Sequence, residues 1–174
     1  MIRSYDGTTP TIAESAYIDD DATIIGDVVI EDDASIWPGT VLRGDHGSIV
    51  VREGANVQDN ATLHEGVEIE QYATIGHNAI VHSATVGPRA TVGMGAIVLD
   101  GSTIGEESIV GANSLVTEGT TVPESVLVVG SPAEVLKDLE GSDWASAGER
   151  YVEYANTHAE TSEVLDRDDV TTGE

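Results

Sequence analysis

Aliphatic residues recur along this chain every six positions. Ile12, Ile18, Ile24, Ile30, Ile36 and Leu42 set the period. After a short insertion it resumes at Val51, Val57, Leu63, Ile69, Ile75 and Val81. One residue is then dropped, and the series continues through Val86, Val92, Val98, Ile104, Val110, Val116, Val122 and Val128. A second register runs two residues ahead of the first and holds small side chains: Ala22, Ala34, Ala55, Ala61, Ala73, Ala79, Ala84, Ala90, Ala96, Ser102, Ser108 and Ser114. Residues two apart on a strand point to the same side, so the large and small positions together fill a narrow interior. An amphipathic helix repeats at about 3.6 residues, and a hairpin meander needs turn signals every 8–12. Neither gives six. Three hexads close one triangular coil. The pattern predicts a mainly β protein, a left-handed parallel β-helix of about six coils over residues 1–131.

The period stops near Pro132. Ser131-Pro132-Ala133-Glu134 predicts the start of a short helix with proline in its first turn, ended by Gly141. A longer helix is expected from Ser142 to about Leu165, with Trp144, Tyr151, Val152, Ala155 and His158 near one face. Residues 132–165 thus read as a helical segment packed on the β-helix, and 166–174 as a frayed acidic tail.

Charge narrows the function. The formal net charge of the 174 residues is −25, with seven Lys and Arg against 32 Asp and Glu. Nucleic acid and anionic membranes both need basic surface, so neither is an expected partner. The near-absence of lysine, with Lys137 alone, suggests a halophile-type surface. No apolar run spans a bilayer and no signal-peptide pattern is present, so a cytoplasmic protein is expected. Cysteine is absent, which removes disulfides, thiolate ligands and a cysteine nucleophile.

The candidate chemistry lies in histidines. His64 and His82 are three hexads apart, and each follows an inward aliphatic residue. Both should point outward from one wall, a coil apart, within reach of one ion. His77 follows Gly76 on the preceding wall and should not reach that ion within one chain. A neighbouring copy could supply it, and head-to-tail contacts that close into a ring make a trimer. Three neutral imidazoles with an open position describe a catalytic zinc site, and Fe²⁺ or Co²⁺ would also accept these ligands. His46 and His158 read as ordinary surface residues, and Trp37-Pro38 as a coil corner or packing surface.

Several segments resemble γ-class carbonic anhydrases and their close relatives: Val41-Leu42-Arg43-Gly44-Asp45, Asn56-Val57-Gln58-Asp59-Asn60, Leu63-His64, Ile75-Gly76-His77-Asn78, Val81-His82, Gly93-Met94-Gly95-Ala96 and Val129-Gly130-Ser131-Pro132. The resemblance spans about residues 10–165. It implies reversible hydration of carbon dioxide to bicarbonate by a homotrimer with metal at subunit interfaces, bound by His64 and His82 of one subunit and His77 of the next. It further implies ionic contacts around the interface and site from Arg43, Asp45 and Asp59. Gln58 matches the side chain that orients the activated water, Asn56 a polar group lining the pocket, and Tyr154-Ala155-Asn156 the family's Tyr-x-Asn near the metal. Arg43 and Asp59 also read as a docking ion pair, and Gln58 as a cap on the coil backbone.

The departures from the family matter. The acidic loop that follows the first histidine in well-known members is missing, and His64 runs through Glu65-Gly66 into the next coil. His46 replaces a second family glutamate. His46 and Glu65 are therefore the candidate proton carriers. Two rival readings remain: a catalytically weak, metal-binding trimeric accessory or assembly subunit, and a hexapeptide acyltransferase.

Overall fold

The computed structural model of the chain describes residues 1–139 and 147–166. The chain winds as a parallel β-solenoid with three walls. Long strands at Thr23–Ile30 and Val41–Val51 bend around one corner and join two walls into a 12-stranded sheet. The third wall is an eight-stranded sheet. Strands at Tyr17–Ile18, Ser35–Ile36, Asn56–Val57, Thr74–Ile75, Thr91–Val92, Ile109–Val110 and Val126–Gly130 stack there in sequence order, giving about seven turns.

The six-residue series forms the interior. From Ile24 to Val128 its members are 0–4 % exposed, and the alanines between them 0–4 %. Each aliphatic side chain stacks on its counterparts in the coils above and below: Leu42, Leu63, Val81, Val98 and Val116 form one such column. Burying a side chain of this size contributes about 1.5–3 kcal/mol, and the sum accumulates coil by coil.

Strand register shows where the coil departs from three even hexads. Between the second and third walls every corner spans five residues, as from Val51 to Asn56 and Ile69 to Thr74. The corner from the third wall to the first also holds at five, as from Val57 to Thr62 and Ile75 to Ile80. Only the remaining corner changes. Ile24 to Val29 and Leu63 to Glu68 span five residues, Leu42 to Val50 eight, and Val81 to Thr85 four. The insertion and the dropped residue thus both fall at one corner, beside His64 and His82.

The segment after Pro132 corrects one expectation. Ala133–Asp138 is a strand, antiparallel to Val126–Gly130, not a short helix. The chain reverses at Ser131-Pro132 and covers the open edge of the last coil, and that pairing overrides the local helix-like composition. Gly141, Ser142 and Trp144 lie outside the described residues. The later helix is observed at Ala147–Thr161, shorter than expected at its C-terminal end. It lies across Tyr17–Ile18, Ser35–Ile36 and Asn56–Val57. Trp37 is its platform, with ring centroids of Tyr17, His158 and Tyr151 at 5.2, 5.1 and 5.6 Å. Gly148 passes so close to Tyr72 that a Cβ there would overlap the Tyr72 carbonyl oxygen. No helix among the described residues is long and apolar enough to cross a membrane.

Candidate metal centre

The strands Thr62–His64 and Ile80–His82 pair in parallel with His64 opposite His82. Leu63 and Val81 point inward, so both imidazoles point out. Nδ1 of His64 lies 3.1 Å from Nε2 of His82, with ring centroids 5.0 Å apart. Two imidazole nitrogens on one tetrahedral ion, each about 2.0–2.1 Å from it, stand about 3.4 Å apart. The pair is therefore spaced as two ligands of one ion need to be.

Carboxylates back both rings. Nδ1 of His82 is 2.7 Å from Oδ1 of Asp100, and Nε2 of His64 is 3.2 Å from Oδ1 of Asp45. Such outer partners orient a metal-binding ring and raise its basicity. Arg43 Nη2 also lies 2.6 Å from His64 Nε2, and its Nε 3.3 Å from Asp45. Burial pushes the Asp45 carboxyl up, but the His64 hydrogen bond and the Arg43 charge outweigh it, and the carboxyl sits below its ordinary value. Glu65 joins the same cluster: one ligand atom from each of His64, Glu65 and His82 lies within 4.8 Å of the others.

His77 lies elsewhere in the protomer. It sits at the corner leading into the strand that His82 ends, with Nδ1 2.8 Å from Asp59 Oδ2. Gln58 and Asn56 share that region. Gln58 Nε2 donates to Asn56 Oδ1 at 3.1 Å, and Asn56 Nδ2 donates to Thr74 Oγ1 at 2.9 Å. Both side chains are buried. Burial pushes the Tyr151 phenol up, and the Asp59 charge adds to that. Tyr154 rests its ring edge against Tyr151 at 5.6 Å and is half exposed, and Asn156 is exposed. Neither is hydrogen-bonded to a histidine among the described residues. Arg43 and Asp59 do not pair within the protomer, since Arg43 holds Asp45 and Asp59 holds His77.

The site residues thus form two groups. Arg43, Asp45, Glu65, His64 and His82 stand at the corner between the first and second walls, and Asn56, Gln58, Asp59 and His77 on the third wall and the corner leading from it to the first. Sequence reasoning missed Asp100, although it follows His82 by the same spacing that relates His82 to His64. It considered Glu65 only as a proton carrier.

Comparison with known proteins identifies the family. The bacterial transferase hexapeptide family (six repeats) matches residues 9–44 and 83–118. The unmatched stretch between them holds the body of the long corner and all three site histidines. A carbonic anhydrase of Geobacillus kaustophilus is 50 % identical over 147 residues, covering 82 % of this chain and 81 % of that protein. The carnitine operon protein CaiE of a Proteus species is 38 % identical over 146 residues, 82 % of this chain and 74 % of that one. Among solved structures, a hexapeptide transferase family protein from Anaplasma phagocytophilum superposes with a TM-score of 0.88 at 40 % identity, over 90 % of this chain and 97 % of the other. With its hexapeptide solenoid and half-identity to a carbonic anhydrase, the chain belongs to the γ-carbonic anhydrase-like family of hexapeptide-repeat proteins.

Proposed function

We propose that this protein is a metal-dependent carbonic anhydrase that interconverts carbon dioxide and bicarbonate as a homotrimer. The observation that carries the reading is the His64–His82 pair, spaced for one ion and backed by Asp45 and Asp100. His77 of the partner subunit completes the ligand set. Surface chemistry supports the assembly. The outward column of the first wall runs Val41, Thr62, Ile80, Ile97 and Leu115. The second wall presents Val50, Glu68, Thr85, Thr103 and Thr121 instead. An apolar wall flanked by histidines at both ends suits burial against a second copy.

His64 and His82, with His77 of the partner subunit, would hold a zinc, iron or cobalt ion, which would supply a water that ionises near neutral pH. The chain's own groups do the rest. Asp100 holds the His82 proton on Nδ1, leaving Nε2 as a lone-pair donor. Asn56 accepts from the Gln58 amide nitrogen, which leaves the Gln58 carbonyl oxygen as the acceptor offered to the nucleophile across the interface. Glu65 beside the imidazoles and exposed His46 on the long corner are the groups that carry the proton away.

Stopped-flow hydration of carbon dioxide at molar salt tests the reading, using anaerobically purified protein with Zn²⁺ or Fe²⁺ quantified and His82→Ala as control. Metal-dependent turnover lost in the control is expected. The corner after His64 is only Glu65-Gly66, which favours a second reading, a catalytically weak metal-binding accessory trimer. Full metal occupancy without hydration selects it. A trimer that retains no metal selects the acyltransferase reading.

A further inference from the structure

Glu65 follows His64 at the variable corner and has a φ of 60°. This left-handed position recurs at the same corner in the next coil, where Ser83 has a φ of 48°, so the backbone turn is a property of the fold. The side chain placed on it is not. Glu65 is partly buried and its carboxylate lies within 4.8 Å of a ring nitrogen of both His64 and His82. Asp45 and Asp100 nearby are engaged, the first by Arg43 and the second by His82. Among the described residues, the Glu65 carboxylate has neither a hydrogen bond nor an ion pair. A partly buried anion beside two imidazole rings is compensated by a cation. Two imidazoles and one carboxylate on one side of a site form a set that accepts Fe²⁺, Co²⁺ or Zn²⁺ and leaves positions open.

We infer that one protomer binds its divalent metal through His64, Glu65 and His82 before assembly, and that Glu65 yields its place to His77 of the partner subunit when the trimer closes. The inference rests on the reading of His64 and His82 as metal ligands. It separates loading from activation. Replacing a carboxylate by a neutral imidazole raises the net charge at the ion by one, which makes the ion a stronger Lewis acid. The lone protomer carries metal, and the assembled protein uses it. The displaced carboxylate then stands free beside the site.

The test uses the full chain and Co²⁺ or Zn²⁺ as the probe. Wild type, Glu65→Gln, His77→Ala and the double variant are titrated against a chelator, with metal per chain, sedimentation and the visible Co²⁺ spectrum recorded. Wild type and Glu65→Gln should hold similar metal, because His77 serves both. His77→Ala should still hold one ion per chain, with an altered Co²⁺ spectrum. The double variant should bind more than about 100-fold more weakly than His77→Ala, since losing even an outer-shell partner costs about 10–100-fold. Equal affinity of His77→Ala and the double variant overturns the inference, as does a metal-free His77→Ala beside a metal-loaded wild type. A wild type that binds no metal overturns the metal-centre reading itself and this inference with it. Wild type diluted to single protomers provides a second route that needs no substitution: retained metal with the His77→Ala spectrum is expected, and release of metal on dissociation counts against the inference.

Discussion

His82 and Asp100 are joined by a 2.7 Å contact from ring Nδ1 to carboxylate, one coil apart. The aspartate fixes which nitrogen of His82 faces the ion and makes that nitrogen more basic. Asp100→Asn removes the charge while keeping the shape. It should weaken metal binding about 10–100-fold and leave the fold intact, as read by chelator competition beside circular dichroism. Unchanged affinity would show that Asp100 is incidental.

Arg43 must leave His64 when metal binds. A guanidinium only donates, so its 2.6 Å bond to His64 Nε2 takes that nitrogen's lone pair and is exclusive of an Nε2–H bond to Asp45. Coordination through Nε2 needs that lone pair, and coordination through Nδ1 puts a proton on Nε2 facing the same donor. Either way the contact breaks, and Asp45 is the waiting partner at 3.3 Å. A crystal structure of the metal-loaded protein should show Arg43 on a carboxylate and away from His64. A retained Arg43–His64 bond would exclude His64 as a ligand.

Alkali should loosen the C-terminal helix. Burial, with the charge of Asp59 behind it, raises the Tyr151 phenol above its ordinary value of 10.0. The folded state therefore binds the phenolic proton more tightly than the unfolded state does. The associated stability is present below pH 10 and is lost as pH rises through the higher folded value. The near-ultraviolet circular dichroism of Trp37 should fade across that range, and Tyr151→Phe should shift the loss upward. An identical profile in both proteins would assign it elsewhere.

Salt should stabilise the protein. The formal charge is −25, and several of the few cations are used within ion pairs, with Arg43 on Asp45, Arg52 clamped between Glu31 and Glu68 and Arg89 on Glu149. Counter-ions screen the residual repulsion. Between about 0.1 M and about 2 M sodium chloride the melting temperature should rise by about 5 °C or more. A flat response would remove the halophile-type reading of the surface.

A cavity in the column beneath the histidines should be costly. Leu63 is fully buried between Leu42 and Val81. Leu63→Ala should cost about 2–5 kcal/mol in denaturant unfolding, and a cost under about 1 kcal/mol would mean the coils collapse around the gap.

The period made the interior and the His64–His82 pairing legible, because each position in a coil inherits its direction from its counterpart one coil away. The same arithmetic reaches Asp100. What lay outside it was anything decided at an end or a corner. Ala133–Asp138 carries good helix formers behind a proline, and only the open edge at Val126–Gly130 makes it a strand. Glu65 looks like one more surface acid in a chain rich in them. Its closeness to two imidazoles depends on the turn it occupies, which no repeat specifies.

The uneven corner has an evolutionary consequence. Two edges of the prism keep a fixed length, while the third absorbs eight residues in one coil and four in another without shifting the strands on either side. Inserted or deleted segments there leave the scaffold untouched and land beside the imidazoles. Such a protein can exchange proton carriers, gates or substrate contacts by lengthening one edge, and can lose them as easily. Divergence of activity among solenoids of this shape then requires no change of architecture, only grafting at a single seam.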